Sequence, residues 1–120
     1  MKTLCFINQT KATGIGDKIT VAETFLSRLV GLMGRRSLGD GSGLWITPSS
    51  GVHTCWMRMA IDVVGLDRGL RVVKTGQRVK PWRVSALSLK THSVLELPPG
   101  QIANSRIEIG DQLQVVPASS

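Results

Sequence analysis

This chain is short of aromatics, cysteines, long apolar runs and, between residues 68 and 90, acidic residues. Aromatics make up 4% of the 120 residues, with no tyrosine at all, so its three tryptophans, Trp45, Trp56 and Trp82, stand out as candidate core or pocket residues. Its two cysteines, Cys5 and Cys55, are too few for a disulfide framework, and with no export signal both are expected to stay reduced. No apolar run approaches the ~20 residues that span a bilayer. The N-terminal apolar stretch stops at Asn8, short of a signal-peptide core, so Thr3 to Ile7 is expected to be a strand and the protein cytoplasmic. From Arg68 to Lys90 the chain carries Arg68, Arg71, Lys74, Arg78, Lys80, Arg83 and Lys90 without one acid, within a net charge of +7. That asymmetry describes either a solvated basic face or one that attracts an acidic partner.

What is present points to one β-rich domain over residues 1–120. Strands are expected at Thr3 to Ile7 and Lys18 to Ala22, joined by a turn at Thr13-Gly14-Ile15-Gly16-Asp17. Phe25, Leu26, Leu29, Val30 and Met33 recur at helical spacing behind Thr24, a side chain suited to capping. They predict the one main helix near residues 24–38. Further strands follow at Leu44 to Ile46, Ile61 to Asp67, Leu70 to Lys74, Thr91 to Leu97 and Gln112 to Val116, with a helical turn within Gln101 to Arg106. Short strands, frequent turns and no regular crossover helices describe a mainly β (α+β) fold, an antiparallel sandwich or partly closed barrel.

The densest chemistry lies between Val52 and Asp67, where His53, Cys55, Trp56, Arg58 and Asp62 lead into a buried strand. Asp62, flanked by Ile61 and Val63, must be hydrogen-bonded or charge-paired if buried. It either ties backbone amides, anchors Arg58, or does acid–base work. Glu96, inside Val94-Leu95-Glu96-Leu97-Pro98, poses the same choice, with Arg35 or Arg58 as partner. Trp56 and Trp82 can wall a cleft in which His53, Arg58 and Arg83 supply donors, a combination small-ligand pockets use. A metal set would have to combine His53, Cys55, His92 and Asp62, which nothing in their spacing demands, so neither a metal site nor a cofactor is expected. Cys55 beside His53 permits nucleophilic catalysis in principle, but a lone cysteine is more often a core filler.

Several short motifs recur in order: Gly31-Leu32-Met33 with Arg35, Ser37 and Leu38; Gly43-Leu44-Trp45-Ile46 with Pro48; His53-Thr54 with Met57-Arg58; Ile61-Asp62 to Asp67; Pro81-Trp82-Arg83; Val94-Leu95-Glu96-Leu97-Pro98 with Gly100; and Gly110-Asp111. In this the chain resembles the family called domain of unknown function 192, over about residues 20–116. The resemblance implies a compact β fold with a helix near the start of the family core, and it implies no activity. The leading functional expectation is a small binding or accessory domain. Its cleft for a small polar or anionic ligand is built from His53, Trp56, Arg58, Asp62, Trp82, Arg83 and Glu96. The alternative is a hydrolase-like enzyme using Asp62, Glu96 and His53. A minor alternative is nucleic-acid binding through the basic 68–90 stretch, for which no recognition motif is present.

Overall fold

The computed structural model describes residues 3–22, 38–53, 59–85 and 88–117, with 52, 53, 84 and 85 as backbone alone. Nine strands are described: β1 (Thr3–Asn8), β2 (Thr13–Ala22), β3 (Ser42–Ile46), β4 (Val52–His53), β5 (Ile61–Leu66), β6 (Val72–Val79), β7 (Val84–Ser85), β8 (Ser93–Leu97) and β9 (Leu113–Pro117). One short helix, α1 (Gln101–Asn104), interrupts them. Seven strands form one sheet in the order β6-β5-β8-β3-β2-β1-β9, and β4 pairs with β7 in a separate two-stranded ribbon. The mainly β expectation holds. The main helix expected near 24–38 lies, except for Leu38, outside the described residues.

All pairings in the large sheet are antiparallel but one: β2 and β3 run parallel, from Lys18 opposite Ser42 to Ala22 opposite Ile46. A parallel neighbour needs a crossover of a dozen or more residues, and residues 23–41 span that connection. The sheet curls until its two edges touch at one corner. There the Leu113 amide donates to the Leu70 carbonyl at 2.9 Å, and the Val72 amide donates to the Asp111 carbonyl at 2.8 Å. The result is a half-barrel, closed at that corner and open along the rest of β6 and β9.

Curling gives the sheet two unlike faces. Val72 and Leu113, from opposite edges, join Phe6, Ile19, Leu66, Leu95, Leu97 and Ile102 in one buried cluster. Only the inside of a curl lets opposite edges share a core, so this is the concave face. Trp45 packs against it, its ring edge-on to Phe6 at a centroid distance of 5.2 Å. The outer face carries a second cluster, Ala22, Leu44, Ile46, Ile61, Val63 and Val94, against which Leu38, Met59 and Val79 pack. β5 and β8 are therefore buried on both sides, every residue of each.

The first hairpin differs from expectation in its turn. Thr13 to Asp17 lies within β2, and the chain reverses at residues 9–12, where Ala12 takes a left-handed φ of 57°. The Asn8 side-chain oxygen accepts the Lys11 amide at 3.2 Å and so organises that reversal. The Gly16 glycine serves packing: a Cβ there would come within 2.7 Å of the Gly41 carbonyl oxygen.

Candidate functional site

Asp62 is fully buried, and its carboxylate is bound by backbone amides. β6 carries an extra residue opposite it, since Ile61 pairs with Val79 but Val63 with Gly76. Arg78, in that bulge, takes a φ of 48° and donates its amide to Asp62 Oδ1 at 2.8 Å. Asp62 Oδ2 accepts the amides of Gly100 at 3.1 Å and Ile102 at 2.8 Å, at the start of α1. Gly100, the N-cap, has no side chain to do this, so a carboxylate from another strand supplies the acceptor. Of the roles open to Asp62, the binding of backbone amides is the one observed, and those amides belong to β6, to the N-cap Gly100 and to α1.

Glu96 sits one residue along the ladder and points the other way. Asp62 pairs with Leu97, and Val63 pairs with Glu96. Directly opposed residues share a face and successive ones alternate, so Asp62 projects into the concave core and Glu96 onto the outer face. A row crosses that face as Val63, Glu96, Leu44 and Thr20. Glu96 is 3% exposed, and its Oε2 has no hydrogen-bond partner among the described residues. Burial among apolar neighbours pushes its carboxyl from the ordinary 4.5 up to about 7.

The two loops singled out in the sequence meet. His53 pairs with Val84 in the β4–β7 ribbon, which places the chain at His53 beside the end of the Pro81-Trp82-Arg83 segment. Trp82 is 54% exposed and held at a φ of 66°, and Arg83 is exposed. Met59 and Val79, at the roots of these loops, both pack on the outer-face cluster that surrounds Glu96. Trp56 and Arg58 lie outside the described residues, as do Cys55 and Arg35, and for His53 only the backbone is described. Of the expected site residues, Glu96 lies on the outer face, where Met59 and Val79 at the roots of the two loops also pack, and Asp62 lies on the other side of the sheet.

One polar cluster escaped the sequence reading. Asp111 Oδ2 accepts from Asn8 Nδ2 at 2.9 Å, from Lys11 Nζ at 2.9 Å and from the Glu108 amide at 3.0 Å. Burial works to raise the Asp111 carboxyl. The hydrogen bonds from Lys11, Asn8 and the Glu108 amide outweigh it and hold the carboxyl below its ordinary value. Lys11 also reaches Glu108 at 2.7 Å, so the turn after β1 is tied to the segment before β9. The Gly110-Asp111 pair was the available signal; nothing local to Asn8 or Lys11 announced their part in it. Among the described residues no group of three His, Cys, Asp or Glu side chains is placed to hold a metal.

A curled β half-barrel with a capped single-turn helix defines the structural class. Within that class, the chain belongs to the DUF192 family, "Uncharacterized ACR", whose family model matches residues 7–115. Similar proteins include a UPF0127 protein of Pyrococcus furiosus, 31% identical over 90% of this chain and 95% of its own length. Another, from Thermococcus kodakarensis, is 30% identical over 92% of this chain and 73% of its own length. Among solved structures, a protein of unknown function from Novosphingobium aromaticivorans superposes with a TM-score of 0.79 at 20% identity, covering 92% of this chain and 82% of that one. A chain from Sinorhizobium meliloti, provisionally described as a transcription regulator, gives 0.78 at 16% identity over 95% and 92%. At such identities the structural likeness concerns the fold alone. The family is uncharacterised, and no specific function follows from membership.

Proposed function

We propose that the protein is a small-ligand binding or accessory domain whose site lies on the outer face of the half-barrel, over Glu96. The observation that carries this reading is the Glu96 carboxyl: buried on an apolar floor, with one oxygen unpartnered among the described residues. A buried polar group without a partner costs about 1–3 kcal/mol, which a ligand's hydrogen bond would recover. With its carboxyl near a pKa of 7, Glu96 offers both an O–H donor and an acceptor. In this reading His53, Trp56, Arg58, Trp82 and Arg83 form the rim and supply an aromatic wall and cationic donors for a polar or anionic group. Asp62 braces the frame beneath. The convergence of His53 with Val84, and of Met59 and Val79 on the outer cluster, supports it.

The hydrolase-like alternative needs Asp62 and Glu96 on one substrate, and their opposite directions disfavour it. The same reading treats residues 1–120 as one folding unit, supported by the pairing of β1 with β9 near the two ends of the chain. It also places the protein in the cytoplasm; among the described residues no helix is long and apolar enough to cross a membrane.

A thermal-shift screen of small polar and anionic compounds tests the proposal. A ligand at a hundred times its Kd stabilises by ~2.7 kcal/mol, which for a chain of 120 residues raises Tm by about 10 °C. The expected compound stabilises the wild type, loses most of its effect on Glu96→Leu, and is weakened by Arg58→Ala. A stabiliser indifferent to both substitutions defeats the site, and conversion of bound compound to product selects the enzyme reading.

A further inference from the structure

We infer that a second, separate cleft, formed where the β5–β6 turn lies beside the turn before β8, binds a small organophosphate: a phosphate dianion carrying an apolar body. Leu66 pairs with both Ser93 and Val72, so the segments beyond it, Asp67 to Arg71 and Ser88 to His92, are held side by side. The His92 amide donates to the Leu66 carbonyl at 2.7 Å and fixes that approach. Between the two segments is an open cleft of about 470 Å³, within the range of small-ligand sites.

Its lining sorts by chemistry. Arg68 comes from one wall and Lys90 from the other, and His92 is also part of the lining. No carboxylate lies within ion-pair distance of Arg68 or Lys90 among the described residues. Asp67, the one acid in the lining, has its Oδ1 taken by the amides of Gly69 and Arg71, both at 2.9 Å. That use of Asp67 holds the turn and leaves the two cations to an incoming anion. Two positive charges match a dianion better than a single carboxylate, and the guanidinium fork can engage two phosphate oxygens at once. Val73 and the wholly exposed Leu89 add apolar surface to the same cleft, which gives an attached ring or chain somewhere to lie. Two other bases of the 68–90 stretch are placed elsewhere: Arg71 donates to the Gly110 carbonyl at 2.7 Å, and the Arg78 guanidinium lies over Gly100.

Phenyl phosphate, inorganic phosphate and benzoate, titrated into ¹⁵N-labelled protein at fixed ionic strength, test this. The expected result is saturable shifts at the amides of Arg68, Gly69, Lys90 and His92, with phenyl phosphate binding more tightly than either of the others. Arg68→Ala and Lys90→Ala should each weaken phenyl phosphate roughly tenfold, about one charge-assisted hydrogen bond's worth. Leu89→Ala should weaken phenyl phosphate and leave inorganic phosphate unchanged. Lys74→Ala, an exposed base outside the cleft, should change neither. All four positions are partly or fully exposed, and unchanged spectra of the unliganded variants establish that each is folded. Non-saturating shifts spread over Lys18 and Lys74 as well would show a diffuse response to charge and overturn the site. So would benzoate binding as tightly as phenyl phosphate, or Arg68→Ala binding like the wild type.

Discussion

The buried Glu96 carboxyl should make the protein's stability fall as pH rises toward neutrality, and Glu96→Gln should remove that fall. In the unfolded chain the carboxyl titrates near its ordinary 4.5; in the folded protein burial holds it at about 7. The folded state therefore binds more protons between these values, and stability declines as pH increases across that window. Below 4.5 both states are protonated and the group contributes no pH dependence; above 7 both are ionised and the loss is complete. At ~1.36 kcal/mol per pH unit, the interval from 4.5 to about 7 corresponds to roughly 3 kcal/mol. Glutamine keeps the shape and stays neutral, so Glu96→Gln should match the wild type near pH 4.5 and exceed it by up to that amount at pH 8. Urea unfolding at half-unit intervals between pH 4 and 9 reads the difference directly, provided m is unchanged. Parallel curves for wild type and Glu96→Gln would refute the reasoning, because they would mean that Glu96 titrates alike in both states. Higher stability of the wild type at pH 8 would refute it more strongly, since only a favourable partner for the ionised carboxylate produces that.

Three further substitutions have defined outcomes. Asp62→Asn should destabilise by about 3–5 kcal/mol, because an amide cannot accept on both sides and turns its NH₂ toward at least one of the three backbone N–H groups; chemical denaturation measures it, and a loss under ~1 kcal/mol would contradict the assignment. Gly43→Ala should cost about 1–3 kcal/mol, since its Cβ would stand 2.7 Å from the Glu96 carbonyl oxygen and 2.8 Å from Ile19 Cδ1, whereas Gly14→Ala, with nothing within 4 Å, should be tolerated. Asp111→Asn should flatten the acid limb of the stability curve: the lowered Asp111 carboxyl stabilises the fold above its unfolded pKa, and this is lost as pH falls through the lower folded value.

How far the sequence disclosed this depended on the range of the interaction. Strand positions were legible because apolar and β-branched runs are local: Leu44 to Ile46, Ile61 to Leu66 and Ser93 to Leu97 all lie where expected. The alternation in β8 was legible too, with Val94 and Glu96 on one side and Leu95 and Leu97 on the other. That both sides are buried was not, because the second cover comes from segments remote in the chain. Gly14 and Gly16 read as a turn because glycine is the common turn residue; here Gly16 makes room for the Gly41 carbonyl, a partner invisible to local pattern. Asp62 was recognisable as a carboxylate in need of donors. Its donors were not, since Arg78 and Ile102 are 16 and 40 residues away and act through backbone amides that any residue possesses.

The opposed directions of Asp62 and Glu96 constrain any chemistry assigned to this frame. A pair of carboxylates dividing acid and base roles must flank one substrate, and here the sheet itself stands between them. Asp62 is further removed from such work because three backbone amides already occupy its two oxygens. Glu96 has the contrary setting: burial favours its neutral form, and no described group compensates its charge. One carboxylate thus fixes the bulge and the helix start, and the other is left among apolar neighbours on the outer face. A site built on that floor must take its remaining polarity from the two converging loops. Substitutions at Asp62 should accordingly show in stability at every ligand concentration, and substitutions at Glu96 in ligand-dependent stability and its pH profile.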